Sequence, residues 1–300
     1  MKPVNGGATI TAMATTPSTH ADRGALLQVP RDLLASRELL LDLVRKDLRV
    51  RYRYAALGFL WALLEPLAYM IVLTFIFERV LTPTDGVPMF GEGIPFASGL
   101  LCGLVFWQFS TQSIGAATAS LVENQHLVKK VAFTREVIPL AAMGYPTFSL
   151  LIGLVVLLVV HRVLGGQVGS SALWMAPLFL IQLGITAGLG LLTSALNVRY
   201  RDVGYMVTVA LLLGFYASPV FYDLDWVLAA TSSGDVPRAV SWLYLTNPMA
   251  ALLEAYRQAL LEGRRPDTWL FVWPTVVSLL ALTGGTVVFR RQAATVSDYL

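Results

Sequence analysis

Six apolar stretches, each closed off by polar turns, constrain this chain more than any other feature: Leu57–Leu81, Ile94–Leu121, Val137–Leu164, Leu173–Leu196, Val203–Phe221 and Trp269–Phe289. A helix crosses the hydrocarbon core in about 20 residues, so each stretch is long enough to span. The longest must tilt or run into the headgroups. Composition agrees, with 56% hydrophobic and 14% charged residues, whereas soluble domains carry about 25% charged. Lipid offers backbone groups no partners, so a spanning segment has to satisfy its own hydrogen bonds as a helix. The expectation is an all-α integral membrane protein with six transmembrane helices.

Lys and Arg set the orientation. They crowd the N-terminal arm (Arg31, Arg37, Arg45, Lys46, Arg49, Arg51, Arg53), the second-to-third connection (Lys129, Lys130, Arg135), the fourth-to-fifth (Arg199, Arg201) and the tail (Arg290, Arg291). Thr82–Gly93 and Gly165–Ala172 have neither residue, and Asp85, Glu92, Asp223, Asp225, Asp235, Glu262 and Asp267 collect on that opposite side. Both termini are therefore expected in the cytoplasm. The last outer loop, with Arg238, Arg264 and Arg265, departs from the pattern but is long and weighs less.

Residues 1–30 are rich in Thr, Ala, Gly, Ser and Pro and have no apolar run. They read as a disordered cytoplasmic leader, not a secretory signal, ahead of one transmembrane domain at 31–300. The lone Cys102 makes no internal disulfide, and His20, His126 and His161 are too scattered for a metal site.

Ser36–Tyr54 is amphipathic at helical spacing, with Leu40, Leu43, Val44 and Leu48 on one face and Arg45, Arg49 and Arg53 on another. Ser36 is placed to cap it, with Glu38 in the first turn. Such a helix lies in the headgroup plane, apolar side down. Its basic residues serve either as positive-inside anchors or, through Arg49, Arg51 and Arg53 interleaved with Tyr52 and Tyr54, as bidentate ligands for a lipid phosphate.

Enzymatic signatures are missing. A phosphate-binding loop ends Gly-Lys-Ser/Thr, and none of Lys2, Lys46, Lys129 and Lys130 follows a Gly or precedes Ser or Thr. Neither His-Glu-x-x-His nor Gly-x-Ser-x-Gly occurs. Asp223 and Asp225 could hold a metal with a sugar nucleotide, but lie on the outer side of this topology.

Glu65, directly before Pro66 inside the first span, is the one deep carboxylate; Glu78 lies near the outer end beside Arg79. A charge in hydrocarbon costs about 2.5–3.5 kcal/mol on insertion scales, so Glu65 should face protein or water, either lining a conduit, or sitting protonated or hydrogen-bonded at a helix contact, or lying near the cytoplasmic interface. Pro66 removes a helix hydrogen bond and bends the span. A proton-coupled carrier would want several such groups. The short connection Val122–Glu136 offers a small apolar face, Leu127, Val128 and Val131, with nothing of its own to bury against, which suits a partner's groove or a lipid surface. Aromatic residues in span two (Phe106, Trp107, Phe109) and the outer half of span five (Phe215, Tyr216, Phe221, Tyr222) could pack sugar C–H faces. Interface anchoring explains aromatics equally and is the favoured reading of Trp269 and Trp273.

Several ordered motifs carry a resemblance: Asp47-Leu-Arg-Val-Arg-Tyr-Arg53, Leu57-Gly-Phe-Leu-Trp-Ala-Leu-Leu-Glu-Pro66, Glu123-Asn-Gln-His-Leu-Val-Lys-Lys130, Phe133-Thr-Arg-Glu-Val-Ile-Pro-Leu140, Leu196-Asn-Val-Arg-Tyr-Arg-Asp202, Ser218-Pro-Val-Phe-Tyr222, Asn247-Pro-Met-Ala-Ala-Leu-Leu-Glu254 and Phe289-Arg-Arg291. From Leu39 to Leu300 the chain resembles the permease subunit of bacterial ABC exporters for polysaccharides and polyol phosphates, the group handling O-antigens, capsules, teichoic acids and related glycans. Thr134 stands where that pattern has Pro, and Ala293-Ala294 replaces an acidic-Pro pair. The resemblance implies a homodimer of six-span subunits in the inner membrane. Two copies of a separate ATP-binding subunit would carry ATP and Mg, leaving no cofactor on this chain. It implies that Glu123, Asn124, Gln125, His126, Leu127, Val128, Lys129 and Lys130 form a coupling helix and that Ser36–Tyr54 is the interfacial helix at a lipid entry site. It also implies short re-entrant gate helices within Tyr222–Thr268, where Gly234, Pro237 and Pro248 break the apolar pieces. Conduit candidates are Trp61, Glu65, Phe106, Trp107, Phe109, Tyr216, Phe221 and Tyr222. The expected substrate is a lipid-linked glycan; membrane lipids are partners and nucleic acid is not. A drug or small-lipid exporter on the same fold, and a membrane glycosyltransferase or polymer synthase, are the alternatives.

Overall fold

A computed structural model describes residues 36–53, 60–77, 90, 93–130, 134–234 and 237–293. The leader at 1–30, the ends of the first stretch, Glu78, Arg79, Asp85, Glu92, Val131 and Asp235 lie outside the described residues, as do the side chains of Val128, Lys129 and Lys130. The described residues are all helical in their regular structure: α1 Arg37–Tyr52, α2 Leu60–Phe75, α3 Phe96–Glu123, α4 Gln125–Lys130, α5 Val137–Ala142, α6 Gly144–Val163, α7 Met175–Arg199, α8 Val203–Tyr216, α9 Leu224–Ser232, α10 Arg238–Thr246, α11 Pro248–Leu260 and α12 Thr268–Ala293. A 3-10 turn, Ser170–Trp174, leads into α7.

Among the described residues, three helical segments are long and apolar enough to cross a membrane: Val137–Val163, Ser170–Arg199 and Thr268–Gln292. The second predicted stretch, α3, runs 28 residues but is diluted by Ser, Thr and Gln. Helices wrap it, so its surface meets protein rather than lipid and does not need to be uniformly apolar. The fifth is shorter than expected. Its helix stops at Tyr216 after 14 residues, about 21 Å at 1.5 Å per residue, and Ser218–Asp223 continues as irregular chain.

The bundle is built on α3 and α7, with α12 on the far side of α7, α6 and α2 against α3, and α8 resting on α3 and α7. Small residues set the α7–α12 spacing. A Cβ on Gly188 would lie 2.2 Å from the Ala281 carbonyl carbon, and one on Gly285 would lie 2.0 Å from the Gly188 oxygen. Lipid tails compete with apolar side chains on equal terms, so close backbone packing of this kind is what holds membrane helices together.

The segment expected to fold back into the membrane forms three helices divided where the sequence indicates. Gly234 turns the chain at φ +88, Pro237 precedes α10, and Pro248 occupies the first turn of α11. The Asn247 side chain caps α11 by accepting from the Met249 amide at 2.9 Å, while donating to the Ala217 carbonyl (3.0 Å) and Ser218 Oγ (2.8 Å). From Ala250 to Leu260 every side chain of α11 is buried, packed by α3, α7 and α12.

The amphipathic helix α1 forms as expected, but Ser36 makes no side-chain cap bond. Its apolar face is covered by protein rather than left for lipid. Leu43 is buried with Leu121, Val137, Ile138 and Phe289, and Leu39, Leu40 and Val44 pack around them.

Candidate functional site

A cavity of about 650 Å³ opens between α2, α3 and α8. The conduit candidates Glu65, Trp107, Tyr216 and Phe221 all line it. Trp61 lies in an adjoining groove of about 490 Å³ on α2, which Glu65 and Tyr69 share. Glu65 is exposed toward both spaces, while its neighbour Pro66 is buried within a helix that runs through it.

Phe106, Phe109 and Tyr222 are placed elsewhere, for a simple geometric reason. Successive helix residues are about 100° apart, so Trp107 facing the cavity turns Phe106 inward. Phe106 stacks on Tyr256 of α11 at 3.5 Å between ring centroids, and Phe109 packs on Phe179 of α7. The Tyr222 hydroxyl hydrogen-bonds the Tyr244 hydroxyl at the α9–α10 corner. Trp273 donates its indole N–H to the Thr246 carbonyl at 3.1 Å, a protein contact where only interface anchoring was expected.

Two sets of residues were not singled out from sequence. The first is a polar stripe on α3, Gln108, Thr111, Gln112 and Gly115, which faces the same cavity as Tyr69 and Phe215. Its i, i+3, i+4, i+7 spacing was readable, since polar residues at helical period within a span mark a face turned from lipid. The second is the polar core around α11. Arg257 is 1% exposed and donates to the carbonyls of Pro219 (2.5 Å) and Val220 (3.1 Å). It pairs with Glu254 at 3.7 Å and lies over the Phe90 ring. These bonds hold the irregular chain that carries Phe221 to the cavity. Gly103 makes room for it, because a Cβ there would lie 2.5 Å from the Val220 oxygen. Tyr256 donates to Gln182 Oε1 at 2.9 Å, and Gln182 passes the network on to the Phe106 carbonyl and Ser110 Oγ. Asp223 is buried while Asp225 is exposed, so this pair does not converge on a common metal.

At the other end of the bundle, α1, the last turn of α3 and the α5–α6 start enclose about 400 Å³, lined by Leu43, Lys46, Asp47, Val50, Arg51, Ala116, Glu123, Asn124, Ile138, Ala141, Ala142 and Tyr145. The three arginines do not act together here. Residues two apart on a helix point about 200° away from each other, so Arg51, an exposed residue, borders the cavity with its guanidinium 3.9 Å above the Tyr145 ring, and Arg49 and Arg53 point away from it. Burial holds the Asp47 carboxyl above its ordinary range, with Lys46 and Arg51 opposing the shift. Lys46 Nζ reaches Asn124 Oδ1 at 3.4 Å. The Asn124 side chain also donates to the Ser120 carbonyl, where α3 ends.

The predicted coupling segment forms the six-residue α4 after that break. Glu123 and His126 are exposed and Gln125 is half-buried. Leu127, expected to have nothing of its own chain to bury against, packs on the Leu43–Ile138 cluster. Nearby, Arg290 pairs with the buried Glu136 at 2.8 Å, tying the start of α5 to the last turn of α12.

The described residues thus form a helical bundle with a lateral cavity and, toward the opposite end, the short helix α4. The sequence profile of the ABC-2 type transporter family matches residues 38–261, and the chain belongs to that family. The O-antigen export system permease protein RfbA of Myxococcus xanthus is similar at 30% identity over 271 residues, covering 89% of this chain and 97% of that one. The protein of the same name from Klebsiella pneumoniae is 29% identical over 228 residues, covering 75% and 81%. The polysialic acid transport protein KpsM of Escherichia coli is 22% identical over 251 residues, covering 82% and 90%.

Proposed function

We propose that this chain is the membrane half of an ATP-driven exporter that moves a lipid-linked polysaccharide across the bacterial inner membrane, with ATP and Mg held by a separate subunit. The observation that carries the reading is the cavity between α2, α3 and α8, considered with the export-permease relatives. Its walls combine aromatic rings (Tyr69, Trp107, Phe215, Tyr216, Phe221) with neutral amides and hydroxyls (Gln108, Thr111, Gln112, Thr208) and, among the described residues, one carboxylate, Glu65. Rings accept sugar C–H faces without dictating one hydroxyl pattern, and amides exchange hydrogen bonds as a polymer slides. A wall of fixed charges would trap the polymer.

The chain would cross the membrane six times with both ends in the cytoplasm, as a homodimer with two ATPase copies. Support for the pairing comes from α8, which has no buried residue and exposes Tyr205, Val209, Leu212 and Tyr216 beside the open cavity. A second protomer set against α2 and α8 closes that opening into a conduit. ATP then closes the partner subunits, α4 moves with them, and the two protomers part. Work reaches the substrate because the two states differ in affinity for it.

The test is deletion and complementation in the source bacterium, with surface polysaccharide measured at matched expression and lipid-linked sugar identified by mass spectrometry on the purified complex. Loss of surface polymer with a lipid-linked glycan on the complex supports the proposal. Unchanged surface polymer, or co-purification of a small amphiphile alone, would return the chain to a drug or small-lipid exporter.

A further inference from the structure

We propose that the cavity between α1 and the end of α3 is a binding site for a zwitterionic aminophospholipid, held as a resident lipid where the interfacial helix meets the coupling segment. The lining divides into two parts. Leu43, Ile138, Ala141 and Ala142 form an apolar floor, and the charged residues stand at the rim with the exposed Val50. That division fits one lipid, with the root of its acyl chains on the floor and its headgroup at the rim.

The charges decide which headgroup. Lys46 and Arg51 supply two cations, and Asp47 and Glu123 two carboxylates. A pyrophosphate lipid or a phosphatidylglycerol brings only negative charge and would sit against Asp47 and Glu123. A phosphate–ammonium headgroup meets both signs: its phosphate takes Lys46 and Arg51 through charge-assisted hydrogen bonds, and its ammonium donates to the carboxylates. A primary ammonium has three N–H donors for this, and a trimethylammonium has none. The lipid would join α1 to the residues immediately before α4, since Glu123 closes α3 and Asn124 begins the break. The inference stands on the cavity alone and does not require that the exported cargo be a glycan.

The test uses the full-length chain in nanodiscs of phosphatidylglycerol containing a minor fraction of phosphatidylethanolamine or of phosphatidylcholine. Native mass spectrometry reads the lipid retained after mild delipidation. The expected result is selective retention of phosphatidylethanolamine. Retention should fall about tenfold or more in the Asp47→Asn/Glu123→Gln variant, which keeps both cations. Ala116→Leu narrows the cavity without altering charge and should also weaken retention of the lipid; circular dichroism confirms that both variants remain helical. The proposal is overturned if phosphatidylglycerol or phosphatidylcholine is retained equally well, if nothing is retained, or if both folded variants hold phosphatidylethanolamine like the parent chain.

Discussion

Arg257 offers the sharpest test of the structure. Its side chain is 1% exposed, makes two hydrogen bonds to the Pro219 and Val220 carbonyls and pairs with the buried Glu254. Arg257→Met keeps most of the volume and removes the charge. Deleting one partner of a buried pair costs about 3–5 kcal/mol, because the other charge is left uncompensated. Adding Glu254→Gln removes that orphan charge. What remains is the lost bonding to the two carbonyls, about 2–3 kcal/mol in all at a net contribution of roughly 1–1.5 kcal/mol per bond. The double variant is therefore expected to be more stable than Arg257→Met alone, by roughly 1–2 kcal/mol, or about five- to thirtyfold in the unfolding equilibrium. Unfolding in mixed detergent–SDS micelles, followed by circular dichroism, measures all four corners of the cycle. A double variant as unstable as, or less stable than, Arg257→Met would refute the reasoning, since the pair would then not be coupled through charge. An Arg257→Met variant within 0.5 kcal/mol of the parent, the ordinary range of a surface change, would show that this residue does not clamp the chain that carries Phe221.

Gly285→Ala should destabilise the bundle by about 1–3 kcal/mol or more, because its Cβ would lie 2.0 Å from the Gly188 oxygen, whereas Gly284→Ala meets open space and should be neutral; micelle unfolding compares the two. His126→Asp is expected to abolish co-purification of the ATP-binding subunit with chain stability unchanged. Leu127→Asp should lower stability of the chain itself by roughly 1–3 kcal/mol, because Leu127 packs on its own cluster. Among the interfacial arginines, Arg51→Lys should lower surface polymer, since the Arg51 guanidinium stacks on Tyr145. Arg49→Lys, on an exposed face of α1, should export nearly as well as the parent at matched expression.

The apolar stretches were enough to specify a helical membrane protein, because lipid leaves the backbone no other way to satisfy its hydrogen bonds. Local chemistry placed the breaks as well: Gly234, Pro237 and Pro248 divide the chain as their backbone restrictions require, and Asn124 ends α3 before α4. Of the cavity, Glu65, Trp107, Tyr216 and Phe221 were legible as odd or aromatic residues in spans. The stripe Gln108–Thr111–Gln112 was also there to be read, at helical spacing.

Tertiary structure decided the rest, since one sequence pattern is compatible with several neighbours. Phe106, Trp107 and Phe109 look alike in a row of apolar residues, yet only the packing of α11 against α3 turns Phe106 onto Tyr256 and leaves Trp107 at the cavity. The apolar face of α1 and Leu127 both read as surfaces awaiting lipid or a partner. A cluster from α3, α5, α7 and α12 covers them, assembled from residues far apart in the chain. The acidic and basic residues of α11 gave no sign of depth, because burial is set by what surrounds a helix, and its own residues do not report it.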